Sequence, residues 1–205
     1  MIGRGKLLAF RRPAGDAAES MTGVISDEAL VAACAIGDAA ALAGLFDRHV
    51  EAVFRFASRL IAPAPPSDVE DLVQNTFLHV WSASARFRGG SQVRSWIFGI
   101  AANVARHWVR GEARRRGAMA ALADCAPGRS SAPDEQAAQR ELVDRLADVL
   151  PMLSHDQRVA FLLCDVEDLP GVDVARALGV RDGTLWRRLH DARKQLRVLL
   201  TRRGA

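Results

Sequence analysis

The chain has 205 residues and a net charge of +4, and 49% of its residues are hydrophobic, which is typical of a globular protein with one or two domains. No apolar run approaches the roughly 18 residues of a membrane-spanning helix, and the run LLAF near the N-terminus is too short for a signal peptide. The sequence therefore argues against membrane insertion, and three widely spaced cysteines without a CxxC pattern indicate reduced thiols in the cytoplasm.

Helical periodicity extends over most of the sequence and strand signals are nearly absent, which predicts an all-α fold. Residues 1–25 are predicted to be a flexible, mildly basic tail. Ser26 is expected to cap the first helix, the proline-rich residues 62–66 to end the second, and Ser67 or Asp68 to cap the third. These helices are predicted over about residues 26–36, 39–60 and 67–82.

The third predicted helix carries three acids and no lysine or arginine over residues 67–80. One face is apolar and is expected to be buried: Val69, Leu72, Val73, Thr76 and Val80. The other face mixes acidic, amide and apolar side chains: Asp71, Gln74, Asn75, Leu78 and Trp81. Such a mixture favours a protein partner with basic residues around an apolar groove. For Trp81 alone, packing into the core at the helix end remains an equal alternative.

Residues 86–116 carry eight arginines and one acid, a net charge of +7, and begin with the glycine-containing loop FRGGS. The spacing predicts a helix with one apolar stripe: Ile97, Ile100, Ala101, Val104 and Trp108. The opposite side presents Asn103, Arg106, His107, Arg110 and Arg114. Guanidinium groups suit phosphates, and Asn and His can reach base edges, so this side is predicted to bind nucleic acid. An ordinary solvated surface is the alternative.

After residue 116 the amino-acid composition changes. Residues 117–136 are rich in Ala, Ser, Pro and Gly and are predicted to form a flexible linker. Beyond it, leucines from Leu142 to Leu153 mark a helix ended by Pro151. Ser154 and Gln157 resemble a capping box for a helix to about Cys164.

A helix-turn-helix is predicted over residues 171–199. Ala175 is small where two helices cross, Gly179 suits a turn with positive φ, and Leu185 anchors the second helix. Thr184, Arg187, Arg188, His190 and Asp191 are left exposed near the start of the second helix, where recognition helices contact the major groove. Residues 181–203 have eight basic residues and two acids, a net charge of +6.

In this order, the three segments resemble bacterial sigma-70 family factors of the extracytoplasmic-function (ECF) type. DLVQNTFLHVW and FRGGSQVRSWIFGIAANVARHWVRGEARRR resemble sigma region 2, and LPMLSHDQRVAFLLCDVEDLPGVDVARALGVRDGTLWRRLHDARKQL resembles region 4. The resemblance implies a region 2-like domain over 26–116 and a region 4-like domain over 137–203. It implies core RNA polymerase, promoter DNA and an anti-sigma factor as partners.

The resemblance also assigns the site residues. On core polymerase, Asp71, Gln74, Asn75, Leu78 and Trp81 would contact the coiled coil of the largest subunit, while the second domain rests on the β-flap. The −10 element would be bound by Phe87, Arg88, Ser91, Arg94, Asn103, Arg106, His107, Arg110, Arg114, Arg115 and Arg116. The −35 element would be bound by Arg181, Thr184, Trp186, Arg187, Arg188, His190, Asp191 and Lys194. Trp96 could stack on a base or pack in the core.

Three positions depart from the family pattern. Relatives usually have a polar–aromatic pair where Pro170-Gly171 stands, Lys or Arg where Trp186 stands, and often a basic residue where Asp191 stands. A carboxylate near phosphates lowers affinity, so these departures bear on −35 preference.

Two other classes of protein remain as alternatives: a stand-alone helix-turn-helix regulator, and an interaction protein that has lost its DNA role. An enzyme is disfavoured because the sequence has no Ser/His/Asp set, phosphate-binding loop or HExxH motif. Cys34, Cys125 and Cys164 are odd in number and form no CxxC pattern, which indicates reduced thiols and no structural zinc. We therefore expect no catalytic residues, no cofactor and no metal.

Overall fold

The computed structural model describes residues 25–120 and 146–202, without the side chains of 113–120 and Arg202. This part of the chain is helical and contains no β-strand, which confirms the all-α prediction. The predicted tail, most of the linker and the start of the second domain lie outside the described residues. The α-helices are α1 (Asp27–Ala35), α2 (Ala39–Leu60), α3 (Pro66–Ala83), α4 (Val93–Ala120), α5 (His155–Phe161), α6 (Gly171–Ala177) and α7 (Asp182–Arg202).

Capping residues set where the first helices begin. The Ser26 hydroxyl accepts a hydrogen bond from the backbone N–H of Ala29 at 3.3 Å, as the sequence predicted. α3 begins at Pro66 and has no side-chain cap, so the prediction that Ser67 or Asp68 caps it is wrong. Proline suits the first helical position because an N–H there would have no partner within the helix.

Aromatic rings join the helices of the first domain. Phe56 of α2 and Phe98 of α4 meet edge to face with ring centroids 5.1 Å apart, and Phe46 and Phe77 meet at 4.8 Å. Full burial of one such side chain contributes roughly 1.5–3 kcal/mol. The Phe56–Phe98 pair fixes α4 against α2, and α4 also packs on α3, so the direction of its exposed side is determined by the core.

The buried face of α4 is broader than the predicted stripe. Ile97 and Ala101 are fully buried as expected, whereas the other three predicted positions are half-buried. Phe98, Ala102 and Ala105, outside the predicted stripe, are fully buried as well. The reason is that α4 packs on α2 and α3 and also contacts α6 of the second domain. The helix also continues to Ala120, into residues predicted to be linker.

The second domain begins, in its described part, with helical residues 146–149 and a 3-10 turn that contains Pro151. Leu142 of the predicted helix lies outside the described residues. The capping box is confirmed: Ser154 Oγ accepts from the N–H of Gln157 at 3.3 Å, and Gln157 Oε1 accepts from the N–H of Ser154 at 3.0 Å. α5 then continues as a π-helical turn over Leu162–Val166.

The helix-turn-helix is formed as predicted by α6 and α7. Ala175 and Leu185 are fully buried where the two helices cross. Gly179 has φ +66°, a conformation that glycine adopts without strain, and the N–H of Val180 donates to the carbonyl of Ala175 at 2.9 Å.

The two domains lie directly against each other. α6 packs across α4 so closely that a Cβ at Gly99 would lie 2.6 Å from the carbonyl oxygen of Ala177. A second contact joins α5 to α2, where the Arg158 guanidinium donates to the carbonyl oxygen of Leu60 at 2.7 Å. The face of α4 that carries Gly99 is therefore covered by the helix-turn-helix.

Candidate nucleic-acid interface

The acidic side of α3 is exposed as the sequence predicted. Val69, Leu72, Val73, Thr76 and Val80 are buried, and Asp71, Gln74, Asn75 and Leu78 are exposed on the opposite face. Leu78 keeps 48% of its surface exposed between polar neighbours. Trp81 is half-buried and packs against the core, so it joins this face only at its edge.

The polar side of α4 is divided between solvent and the second domain. Asn103, His107 and Arg110 are exposed. Arg106 is half-buried because its guanidinium donates to Asp156 of α5 at 3.0 Å. The side chains of Arg114, Arg115 and Arg116 lie outside the described residues, although their backbone belongs to α4.

The loop before α4 is largely exposed, and its Gly90 lies close to the Arg176 side chain of α6. Phe87 packs on Trp96 with ring centroids 4.9 Å apart, which places Trp96 in a packed position. Arg88 is exposed next to Gly89, whose φ is +68°, and Ser91 is half-buried. The sharp turn at Gly89 presents the arginine side chain and the loop backbone outward.

Arg94, at the first turn of α4, points toward the second domain. It donates to Glu167 at 2.8 Å, and its guanidinium lies 5.5 Å from the centroid of the Phe98 ring. The predicted −10 residues are thus brought together along one loop and one helix, and two of them, Arg94 and Arg106, form ion pairs with the other domain.

The start of α7 presents a largely exposed basic surface. Arg181, Trp186, Arg187, His190, Asp191 and Lys194 are exposed, and Thr184 is half-buried. Arg188 is half-buried because its guanidinium lies 2.5 Å from the second carboxylate oxygen of Asp156. The predicted −35 residues therefore share one helix end, with Arg188 turned toward α5.

Family models match both halves of this arrangement: sigma-70 region 2 over residues 45–115 and sigma-70 region 4 over residues 144–196. The chain is 34% identical to the RNA polymerase sigma factor CarQ of Myxococcus xanthus, over 76% of this chain and 87% of that protein. It is 32% identical to the ECF sigma factor SigE of Mycolicibacterium smegmatis, over 83% and 67%. The chain belongs to the ECF sigma factors.

Two solved structures share the fold. CnrH in complex with the cytosolic domain of CnrY superposes with a TM-score of 0.60 at 26% identity, covering 85% of this chain and 97% of that chain. RpoE in complex with the anti-sigma factor NepR, from Bartonella quintana, gives 0.58 at 27% identity, covering 77% and 95%. Our protein is thus an alternative sigma factor that directs transcription initiation, and the stand-alone regulator is not favoured.

Two departures from the family pattern lie in contact with each other in this sigma factor. The Trp186 ring covers Gly171 so closely that a Cβ there would lie 2.6 Å from Cζ2 of the indole. The indole of Trp186 on α7 therefore fills the space that a side chain at position 171, the first residue of α6, would need. Half of the surface of Trp186 remains exposed.

Sequence reasoning missed the acids that contact the basic residues of the sigma factor. Asp156 joins α4 to α7 through Arg106 and Arg188, and Glu167 is buried between Arg94 at 2.8 Å and Arg59 at 3.6 Å. Both acids are distant in sequence from the arginines of α4: Glu167 lies 73 residues from Arg94, and Asp156 lies 50 residues from Arg106. The only local signal is that Asp156 opens a capped helix.

His155 marks the same junction between domains. Burial, together with the positive charge of Arg106, lowers the pKa of His155 from 6.5 to about 4. Its Nε2 has no hydrogen-bond partner among the described residues. A neutral imidazole is therefore part of the contact between the domains.

Among the described residues, no cluster of three or more His, Cys, Asp or Glu side chains has the arrangement of a metal site. None of the helices over 25–120 and 146–202 is long and apolar enough to cross a membrane.

Proposed function

We propose that this sigma factor divides promoter recognition among three surfaces. The exposed face of α3 docks on the coiled coil of the largest polymerase subunit. The loop 86–94 and α4 bind the −10 element, and the start of α7 binds the −35 element while the second domain rests on the β-flap. The domains would be a region 2-like unit over 26–116, a linker over 117–136 and a region 4-like unit over 137–203.

The observation that carries the −10 assignment is the exposure of Asn103, His107 and Arg110 on one side of a helix whose other side is held by the core. Asn and His carry donors and acceptors that can distinguish bases, whereas the Arg110 guanidinium suits a phosphate. Strand opening then follows from the capture of an unstacked base in the loop 86–94, which offsets a few kcal/mol of unstacking.

The −35 assignment rests on the exposed residues of α7. Arg181, Arg187 and Lys194 supply positive charge for phosphates, and Thr184 and His190 lie at the helix end that enters a major groove in helix-turn-helix proteins. Asp191 is exposed among them and is suited to accept a hydrogen bond from cytosine N4.

The remaining proposals concern the cellular setting. The sigma factor works with RNA polymerase and therefore acts in the cytoplasm, and it performs no catalysis itself. The two solved relatives are held by other proteins, the cytosolic domain of CnrY and the anti-sigma factor NepR. By analogy, an anti-sigma factor is proposed as a partner of this chain.

In vitro transcription with core polymerase on a library of randomised promoters tests the proposal. The expected result is enrichment of a two-part motif at −10 and −35, with no transcript when either the sigma factor or core polymerase is left out. Specific binding of the free protein to a duplex, without any polymerase-dependent transcript, would instead support a stand-alone regulator.

A further inference from the structure

Trp186 is an exposed aromatic residue near the start of α7. It lies in the second turn of the helix, and 51% of its surface is exposed to solvent. At 100° per residue, Trp186 lies about 40° from His190 and about 100° from Arg187 around the helix axis, and both of these residues are exposed as well. The indole is therefore part of the surface that the proposed function assigns to the −35 element.

The crossing of α6 and α7 is closed without the indole. Val174 and Ala175 of α6 and Leu185 and Leu189 of α7 are each 1% exposed or less. A tryptophan that served only this core would be buried with them, because burial of the ring is what stabilises the folded chain. Half of the ring surface is instead left available to another molecule.

The backbone at the start of α6 holds the indole in place. A Cβ at Gly171 would lie 2.6 Å from Cζ2, 2.9 Å from Cη2 and 3.4 Å from Cε2 of the ring. The six-membered ring thus lies against a stretch of backbone that carries no side chain. A tryptophan has only two side-chain torsions, so a ring held in this way has little conformational entropy left to lose when it binds a partner.

The exposed part of the ring suits an apolar group in the major groove. An indole has a single polar atom, the Nε1–H donor, so the rest of its surface is carbon. The apolar group that the major groove presents is the C5-methyl of thymine, which cytosine lacks. Arg181, Arg187 and Lys194 are exposed on the same end of α7, and this positive charge favours a nucleic acid over an apolar protein surface as the partner.

We propose that Trp186 determines specificity in the −35 contact, and that its indole selects a thymine through the C5-methyl group. Gly171 is the positioning residue, because it acts on DNA only by holding the ring. The inference rests on the proposed function, since it takes the start of α7 to lie in the major groove of the −35 element. It adds the chemical group that is recognised and the side chain that recognises it.

Bases that differ by one methyl group test this assignment in the intact holoenzyme. The probe is a promoter that the wild-type holoenzyme selects from a library randomised at −35. Each thymine of its −35 element, on either strand, is replaced in turn by deoxyuridine, which removes only the C5-methyl. At one position we expect the affinity of the holoenzyme to fall about fourfold, the effect of one buried methyl group. At that position 5-methylcytosine should bind more tightly than cytosine by a similar factor.

Two apolar residues of α7 provide matched variants. Trp186→Ala and Val198→Ala each remove a side chain that is about half exposed, but Val198 lies about 18 Å further along the helix. Trp186→Ala is expected to bind the thymine and deoxyuridine promoters equally, whereas Val198→Ala should keep the ratio of about four. Because the ratio compares two DNAs on one protein preparation, a partly unfolded variant does not change it.

Gly171→Ala tests the positioning role. The new Cβ would displace the indole, while alanine is a better helix former than glycine and does not weaken α6 itself. We expect the ratio of thymine to deoxyuridine affinity to fall to about twofold or less. In the Trp186→Ala background, Gly171→Ala should leave the ratio unchanged, because the residue through which it acts is gone. A full ratio in the single variant Gly171→Ala would overturn the positioning role.

The proposal is overturned if no deoxyuridine in the −35 element weakens binding of the wild-type holoenzyme, or if Trp186→Ala retains the full ratio. Equal affinity for all these DNAs, together with weaker binding of Trp186→Ala than of Val198→Ala to core polymerase, would assign the exposed ring to a protein interface instead. A library that yields no transcript with core polymerase contradicts the proposed function itself. A defined −35 motif without any methyl effect contradicts the role of Trp186 alone.

Discussion

Leu78 offers the sharpest test of the polymerase-binding face on α3. Its side chain is 48% exposed on a helix whose opposite face is fully buried, so replacing it leaves the core untouched. Complete burial of a leucine is worth roughly 1.5–3 kcal/mol, and about half of that remains available to a partner. Leu78→Ala is therefore expected to cost about 1 kcal/mol of binding, or about a fivefold loss of affinity for core polymerase.

Leu78→Arg should have a larger effect than Leu78→Ala. An arginine that cannot be paired must be desolvated in the interface, and the neighbouring Asp71 indicates that the partner surface is itself basic. A loss of 2 kcal/mol or more is typical of such a central position, which corresponds to about 30-fold weaker binding or worse.

The assay is a fluorescence anisotropy titration of labelled sigma factor with core polymerase, accompanied by thermal melts. Ile36→Arg is the matched control, because Ile36 is 88% exposed at the end of α1 and lies outside the proposed face. Equal affinities for Leu78→Arg and Ile36→Arg, with unchanged melts, would refute the assignment of this face to polymerase.

Three further predictions concern DNA and pH. Arg110→Ala should weaken open complexes on all promoters alike and reduce their salt dependence, whereas Asn103→Ala should change the base preference at one or two −10 positions. If Asn103→Ala instead lowers transcription equally on every −10 variant, Asn103 does not contact bases. Asp191→Ala should relax specificity at a defined −35 position when promoters are selected from a randomised library; tighter binding with an unchanged sequence logo would show that Asp191 only repels phosphates. The pKa of His155 is about 4 in the folded chain and 6.5 in a free histidine. Between pH 6.5 and 4 the imidazole is therefore protonated in the unfolded state but not in the folded state, so the free energy of unfolding should fall as the pH drops through this window. Thermal melts across this window should show a shallower pH dependence in His155→Gln than in the wild type, and equal slopes would exclude His155 as the group responsible.

Local chemistry explains which parts of the fold could be predicted from the sequence. The Ser26 cap, the capping box at Ser154 and Gln157, and the turn at Gly179 each depend on residues a few positions apart, so their outcome is visible in a short window. The acidic face of α3 could be predicted from helical periodicity alone, because the buried residues of this helix all lie on its opposite face.

The errors arose where structure depends on distant residues. The predicted buried face of α4 was too narrow because the helix packs on α2 and α3 and also on α6, and the periodicity of one apolar stripe does not reveal an additional partner. The pairing of Arg106 and Arg188 through Asp156 could not be predicted, because it joins elements that are adjacent only after both domains have folded. The charge count correctly located the basic residues but not the acids that neutralise them.

The contact between Trp186 and Gly171 limits how promoter preference can be exchanged between relatives. An indole on α7 fits here only because Gly171, the first residue of α6, has no side chain. A graft of α7 alone into a relative with an aromatic side chain at the position of Gly171 would place two rings in one space and displace α7. The smallest unit that can be transplanted with its preference intact is therefore α7 together with Pro170-Gly171.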